Sequence, residues 1–186
     1  MYALNVYMAI DSRGKIVIKA IVHVDREWGI GYKGELLARV RADLKNFQAL
    51  TKGNVVVYGS KTLMTFPGAR PLKNRENIVM SRTMESAPDG ASVVHSIEEL
   101  LAEIQKYPSD SVFVIGGASV YEQLLPYCDT AIVTFFDKSY EKDAYLPNLD
   151  VMPEWERVYT GERQTSDAET DSEAGLEFYF TEYRRK

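Results

Sequence analysis

The sequence predicts an α/β domain built on a mostly parallel central sheet, with an antiparallel hairpin at its C-terminal end. First, short β-rich runs alternate with helical patterns along most of the 186 residues, which is typical of parallel sheets covered by helices. Second, the run IVIKAIVHV is mostly apolar, as in a strand buried on both faces. Third, the last two β-rich runs, 155–163 and 176–183, have no helical pattern between them and therefore favour an antiparallel pair.

The N-terminal part of the chain predicts a hairpin. Residues 2–10 and 15–25 are both β-rich, and the segment Asp11-Ser12-Arg13-Gly14 between them has the composition of a turn. We therefore expect an extra N-terminal strand ahead of the main sheet.

Changes of hydrophobic period and turn residues mark the later elements. A helix is predicted from about Val40 to Leu50, and Ser96-Ile97-Glu98-Glu99 is a capping box in front of another helix. The remaining elements are strands at 54–58, 77–80, 111–115 and 130–136, a short helical piece at 59–62, and a helix at 119–125 that ends at Pro126. The polar, acidic segment 164–175 is expected to be a mobile loop.

The composition excludes several classes of protein. A chain of this length suits one domain, here residues 1–186, with a real core. The formal charge of −5 argues against a nucleic-acid groove or an anionic membrane surface. No apolar run approaches the roughly 20 residues of a transmembrane helix, and the first residues lack the pattern of a signal peptide. Cys128 is the single cysteine, which excludes an internal disulfide and fits a reducing cytoplasm; with two histidines it offers no metal-ligand cluster.

A glycine pattern early in the chain has two interpretations. Gly29, Gly31 and Gly34 spell G-x-G-x-x-G, which can mark a dinucleotide cradle. Such a site also requires an acid about 20 residues further on. The next strand, NVVVYGSKT, instead ends in Lys61. The sequence therefore favours a flexible loop whose glycines supply positive φ angles.

Loops with phosphate-binding chemistry follow three of the predicted strands. They are Gly59–Thr62, Ser81–Thr83 and Gly116–Ser119. Lys61 and Arg82 supply positive charge, and paired glycines let backbone N–H groups approach an anion. Because ligands of such sheets bind beyond the carboxyl ends of the strands, three of these loops together favour a nucleotide.

Asp43 is the candidate catalytic acid. An acid in the first turn of a helix is also favoured by the helix dipole and is then usually solvated. However, Asp43 and Phe47 are four residues apart and share a face, and we expect Leu44 and Phe47 to face the core. A carboxylate beside them would be partly desolvated and could bind an amino-bearing ligand.

Several motifs, taken in order, resemble the dihydrofolate reductase family. They are WGIGYKGEL, Asp43 nine residues beyond Gly34, VVVYGSKT, LKNRENIVMSR, VFVIGGASVYEQLLP and IVTFFDKSYEKDAYLP, and they run from about Lys19 to the C-terminus. The resemblance implies a three-layer α/β fold with an eight-stranded sheet. It also implies NADPH-dependent reduction of 7,8-dihydrofolate, inhibition by antifolates and a monomer.

The resemblance assigns substrate contacts residue by residue. Asp43 matches the acid that binds the amino group and N3 of the pterin, with Thr134 behind it. Arg75 matches the arginine that grips the carboxylate of the glutamate tail. The residues that would pack the pterin, benzoyl ring and nicotinamide are Ile21, Val22, Leu44, Phe47, Phe66, Leu72, Ile115 and Tyr121.

The resemblance also assigns the cofactor site. Ile30, Gly31 and Leu36 belong to the loop that closes over the nicotinamide, and movement of the Leu36 loop would admit the water that supplies the proton. Gly116-Gly117 matches a pair joined by a cis peptide. The cofactor residues are the backbone of His23, with Ile30, Gly31, Gly59, Ser60, Lys61, Thr62, Ser81, Arg82, Gly116, Gly117, Ala118, Ser119, Val120 and Tyr121.

The sequence departs from the family pattern at four places. Leu37-Ala38 replaces the usual Pro-Trp, whose tryptophan helps to order water near the acid. Ser60 stands where a basic residue is common. His23 stands where a small residue is usual, and its side chain is expected to pack in the core. The first eighteen residues have no counterpart.

Two other functions stay open. A pyrimidine reductase of riboflavin synthesis shares this fold and NADPH, but Asp43 with Arg75 argues against it, because that substrate has neither a pterin nor a glutamate tail. Ala38 keeps open a catalytically silent nucleotide-binding module.

Overall fold

The computed structural model describes residues 17–186, so the predicted N-terminal hairpin strand and its turn lie outside the described residues. The strands are β1 (Ile18–Val24), β2 (Gly29–Tyr32), β3 (Glu35–Leu36), β4 (Val55–Gly59), β5 (Glu76–Met80), β6 (Ala91–Val94), β7 (Val112–Gly116), β8 (Thr130–Phe136), β9 (Ala144–Tyr145), β10 (Trp155–Thr160), β11 (Gln164–Thr165) and β12 (Glu177–Arg185). The helices are α1 (Arg41–Thr51), α2 (Ser60–Thr65), α3 (Ile97–Ile104) and α4 (Ala118–Leu124).

The central sheet has the strand order β10-β12-β8-β1-β7-β4-β5-β6, and β11 adds to β12. From β8 to β6 all neighbours are parallel, whereas β12 is antiparallel to β8 and to β10. This confirms the predicted mostly parallel sheet with antiparallel strands at its C-terminal edge. β1 lies at the centre because its mostly apolar sequence can be covered on both faces.

Helices cover both faces and make three layers. On one face, Leu100 and Ile104 of α3 and Leu124 of α4 pack with Ile18 and Val55 in the largest buried cluster. On the other face, α2 packs through Leu63 against Val56, Tyr58 and Val79. Ala42 of α1 packs there against a cluster that contains Ala38, Val40, Phe136 and Phe178. The start of α3 confirms the predicted N-cap, since Ser96 Oγ accepts a hydrogen bond from the Glu99 N–H at 3.1 Å. The Glu99 carboxylate accepts in return from the His95 N–H at 2.7 Å, one residue before the N–H that a standard capping box uses.

The glycine motif forms structure that the sequence did not predict. β2 and β3 pair as a hairpin across Lys33-Gly34, and β9 pairs with the other side of β2. Lys33 and Gly34 both have positive φ, as a two-residue hairpin turn of type I′ requires. Neither Gly29 nor Gly31 has a positive φ. A Cβ on Gly29 would lie 2.0 Å from Lys142 Cδ, and one on Gly31 would lie 2.8 Å from the Glu35 carbonyl oxygen. The expectation of positive φ is therefore wrong for these two, which serve close packing.

The acidic segment expected to be a mobile loop is tied to the start of α1. The backbone groups of Arg39 bond to Ser172, and the N–H of Arg41 donates to Asp171 Oδ1 at 2.6 Å. The sequence between β10 and β12 gave no sign of this docking, because its partners are distant in the chain. β6 was also not predicted, because its four residues are too short a pattern.

Two further features concern the backbone and the helices. The Gly116-Gly117 peptide is cis, as the resemblance implied. Among the helices of residues 17–186, none has the length and apolar character that crossing a membrane requires.

Candidate active site

Asp43 lies in the first turn of α1, on the side that faces β1. Its side chain is only 14% exposed, so it is not the solvated first-turn acid that the dipole argument allowed. The expectation of partial desolvation is confirmed. The carboxylate is thus mostly buried but still reaches solvent, through an opening that we call the cleft.

The side-chain partner of Asp43 among residues 17–186 is His23. His23 Nδ1 lies 3.3 Å from Asp43 Oδ2, and the imidazole stacks on Phe136 with ring centroids 4.8 Å apart. The expectation that His23 packs in the core is confirmed, but the contact of its Nδ1 with Asp43 was not predicted. One signal was present in the sequence, a titratable residue inside an apolar strand, but the acid that it contacts is twenty positions away.

One wall of the cleft is apolar and open. Leu36 is 47% exposed and Leu44 is 44% exposed, whereas Phe47 is half-buried. The prediction that Leu44 faces the core is wrong, because no other element of the described chain covers this side of α1. Large apolar side chains left exposed beside a buried acid favour a site that a flat ligand completes.

Arg75 lies at the far end of the same wall. Its Nε donates to Thr51 Oγ1 at 2.8 Å, Nη1 donates to the Lys73 carbonyl at 2.8 Å, and its guanidinium carbon lies 5.7 Å from the centre of the Phe47 ring. Burial lowers the pKa of Arg75, but the group stays charged at neutral pH. Arg75 is thus held in place before any ligand binds, at the opposite end of α1 from Asp43.

The opposite wall belongs to the sheet edge and the loop after α2. Phe66, Leu72 and Ile115 pack on the buried cluster around Tyr58. Buried Asn77 fixes this loop, since its Oδ1 accepts from the Leu72 N–H at 2.9 Å and its Nδ2 donates to the carbonyls of Leu72 and Arg75. Sequence reasoning missed Asn77, whose one signal was an amide inside the strand sequence ENIVM.

The floor is formed by β1 and its neighbours. Thr134 is buried and lies directly beside His23 in the β1–β8 register. Tyr121 Oη donates to the Ile21 carbonyl at 2.7 Å and joins α4 to β1. Burial, followed by the nearby Cys128 and Asp43, raises the pKa of Tyr121. Val22 packs against the largest core cluster on the other face, so its backbone alone is available to this cleft.

The three predicted phosphate loops converge as expected. β7, β4 and β5 are parallel neighbours, so the loops that follow them emerge at one edge of the sheet. A Cβ on Gly117 would lie 3.2 Å from Thr62 Oγ1, and one on Gly59 would lie 3.1 Å from Val120 Cγ2. Lys61 is exposed here, and so are Arg82 and Ser119, whereas Ser60 and Ala118 are half-buried and Val120 is buried. The Ser81 hydroxyl accepts from the Met84 N–H at 3.1 Å and shapes the third loop.

The residues predicted to close over the nicotinamide lie in the three-stranded sheet β3-β2-β9. Gly31 pairs with Leu36 across the β2–β3 hairpin, and Ile30 packs against the largest core cluster. Leu36 is therefore the last residue of β3, two residues after the Lys33-Gly34 turn, and the turn itself is held by a hydrogen bond from the Lys33 N–H to Asp143.

Together, the sheet edge with its glycine-lined basic loops and the desolvated acid define a nucleotide-dependent α/β enzyme. A family model described as dihydrofolate reductase matches residues 17–185. The chain belongs to the dihydrofolate reductase family, and it is an oxidoreductase of that family.

Individual relatives agree with this assignment. The dihydrofolate reductase of Rattus norvegicus is 32% identical over 190 residues, covering 91% of this chain and 97% of the relative. That of Bacillus subtilis is 32% identical over 170 residues, covering 91% and 95%. The solved structure of dihydrofolate reductase from Enterococcus faecalis complexed with NADP(H) and RAB-propyl superposes with a TM-score of 0.79 at 33% identity, covering 91% of this chain and 96% of that one.

Proposed function

We propose that this chain reduces 7,8-dihydrofolate to 5,6,7,8-tetrahydrofolate with NADPH, and that Asp43 orients the pterin and favours protonation of its N5. The observation that carries the proposal is the placement of Asp43, 14% exposed at the base of a cleft with an exposed apolar wall. A lone carboxylate in that position is suited to the amino group and N3–H of a pterin, each of which donates a hydrogen bond. A hydrogen bond to a charged group contributes about 1.5–3 kcal/mol.

The residues at the sheet edge fit the cofactor. Gly59 and Gly117 let the backbone pass close to Val120 and Thr62, where a Cβ would be crowded, and Lys61 and Arg82 bring two positive charges to the same edge. Lys61, Thr62, Ser81 and Arg82 would hold the phosphates, including the 2′-phosphate, and Gly116-Gly117 would lie against the diphosphate. Bound NADPH supplies the hydride; the protein supplies placement and electrostatics.

The protein's own groups then govern the proton. Asp43 would orient the pterin, and Leu36, the last residue of β3, would exclude or admit water as the β2–β3 hairpin moves. Water is the immediate proton donor, and the negative charge of Asp43 makes the protonated pterin more favourable. At the far end, Arg75 grips the glutamate tail with its planar fork.

One assay tests the proposal against both alternatives. The purified protein is mixed with dihydrofolate and NADPH, loss of the near-ultraviolet absorbance of NADPH is followed, and an antifolate is then added. Turnover that the antifolate abolishes supports the proposal. Turnover with a ribosylated aminopyrimidine but not with dihydrofolate would identify the riboflavin-pathway alternative, and NADPH binding with no turnover on either substrate would identify the silent module.

A further inference from the structure

The imidazole of His23 is buried between β1, α1 and Phe136, with its side chain 6% exposed. Nδ1 is directed at the acid, 3.3 Å from Asp43 Oδ2. Nε2 is also buried and has no hydrogen-bond partner within residues 17–186. A buried polar atom without a partner is unfavourable, and an apolar side chain would fill the same space without that cost. Packing therefore does not explain a histidine at this position.

Two contacts fix the direction in which Nδ1 points. The ring stacks on Phe136 with an interplanar angle of 26°, which sets the plane of the imidazole. His23 is the side-chain partner of the Asp43 carboxylate in the described part of the chain. His23 is therefore placed to influence the orientation of the acid.

We propose that His23 is a positioning residue for Asp43, donating its Nδ1–H to Oδ2 so that Oδ1 is presented to the pterin. This inference rests on the proposed role of Asp43. An ionised carboxylate can only accept, so the proton of this hydrogen bond belongs to Nδ1. The distance of 3.3 Å is longer than is usual for such a bond, and hydrogen bonds at catalytic sites commonly tighten when a ligand binds.

A second departure from the family pattern lies in the same place. Ala38 is buried in the cluster that contains Phe136, the ring on which His23 stacks. The small side chain at 38 and the large ring at 23 therefore share one region beneath the cleft. The imidazole supplies an N–H donor to this region, next to the acid.

The test combines His23 variants with an Asp43→Asn background. His23→Phe keeps a ring that can stack on Phe136 but removes the donor, whereas His23→Asn places an amide N–H where Nδ1 lies. His23→Phe is expected to lower kcat/KM for dihydrofolate roughly ten- to hundredfold, the loss for one hydrogen bond to a charged group. KM for NADPH should stay unchanged, and His23→Asn should recover most of the activity. With Asp43→Asn already present, His23→Phe should change kcat/KM by no more than about twofold, because its effect acts through the acid.

The opposite results are equally clear. Wild-type activity in His23→Phe, or the same loss with and without Asp43→Asn, would overturn the role of His23. If His23→Phe fails to fold by circular dichroism, His23→Asn is compared with His23→Gln, whose amide reaches the Nε2 position; equal activity of these two overturns the proposal. If Asp43→Asn alone leaves kcat/KM unchanged, the proposed role of Asp43 fails. If Asp43→Asn lowers kcat/KM but the His23 variants do not, only the proposed role of His23 fails.

Discussion

The carboxylate of Asp171 accepts a hydrogen bond from the backbone N–H of Arg41 at 2.6 Å, and so caps the helix that carries Asp43 from a loop 130 residues away. Val40, at the N-cap position itself, provides no side-chain cap. The same carboxylate accepts from the Asp167 N–H at 2.7 Å, and these two backbone donors lower the pKa of Asp171. The start of α1 is thus fixed by a tertiary contact.

Removing this cap should loosen the start of α1. We expect Asp171→Ala to lower the melting temperature and to raise KM for dihydrofolate, since Asp43 lies two residues after Arg41. Asp171→Asn is the matched control for the cap, because its amide oxygen can still accept from the Arg41 N–H, although its amide nitrogen cannot accept from the Asp167 N–H. Circular dichroism and steady-state kinetics measure the two effects. A KM unchanged in Asp171→Ala would separate this loop from the site.

Replacing the acid itself should affect catalysis strongly at neutral pH. Asp43→Asn removes the negative charge that favours the protonated pterin, so kcat/KM should fall by at least about a hundredfold, within the range for loss of an acid–base group. Activity should partly return in acid, where the substrate arrives already protonated. The measurement is kcat/KM across pH. Full activity at pH 7 would remove Asp43 from the mechanism.

The basic loops should distinguish the two nicotinamide cofactors. Changing Lys61 and Arg82 together to alanine should weaken NADPH far more than NADH, because only NADPH carries the 2′-phosphate. Lys52 and Arg184 are exposed at the opposite edge of the sheet, so their double alanine variant changes the net charge equally and serves as the control. Dissociation constants for both cofactors decide the matter. Equal losses for NADPH and NADH would mean that these residues do not read the 2′-phosphate.

Arg75 should act on the substrate tail alone. Arg75→Lys loses the bidentate fork, and KM for dihydrofolate should rise roughly ten- to hundredfold. The Arg75→Lys variant should reduce a dihydropterin that lacks the benzoylglutamate tail as efficiently as the unaltered enzyme does. Arg184→Lys is the control. A parallel loss on the tail-less substrate would show instead that Arg75 supports the fold through Thr51 and Phe47.

A buried ion pair at the base of the β2 hairpin should make stability depend on pH. Asp25 is fully buried; burial opposes its ionisation, but Lys142 Nζ at 2.6 Å and the backbone N–H groups of Gly29, Glu27 and Tyr140 outweigh it and hold the pKa of Asp25 below 3.8. The stabilisation is therefore present above about pH 4 and is lost as the pH falls through the lowered pKa.

Two variants test this ion pair. Asp25→Ala leaves its backbone donors without an acceptor and should lower the free energy of unfolding at pH 7 by about 1–3 kcal/mol or more. Asp25→Asn should be less stable than the unaltered protein at pH 7 and should lose less stability in acid. Urea unfolding at several pH values provides the data. The same acid dependence in Asp25→Asn and in the unaltered protein would contradict the assignment.

The sequence by itself determined the class of fold, most of the strands and the acid. Their signals are local: the apolar run of β1, the capping box at Ser96, and the glycines and basic residues that follow β4, β5 and β7. Burial on both faces and turn chemistry leave such patterns in consecutive residues. Asp43 could be singled out because its apolar neighbours lie within one helical turn.

Only the tertiary structure decided what surrounds that acid. His23 reaches Asp43 across twenty residues, Asp171 caps α1 from the other end of the chain, and Asn77 fixes the loop that carries Leu72 and Arg75. None of these contacts has a fixed spacing in the sequence, because each depends on which strands become neighbours in the sheet. Leu44 is exposed for the same reason, although the helical pattern predicts that it faces a core. The hydrophobic period of a helix does not show whether another element packs against that face.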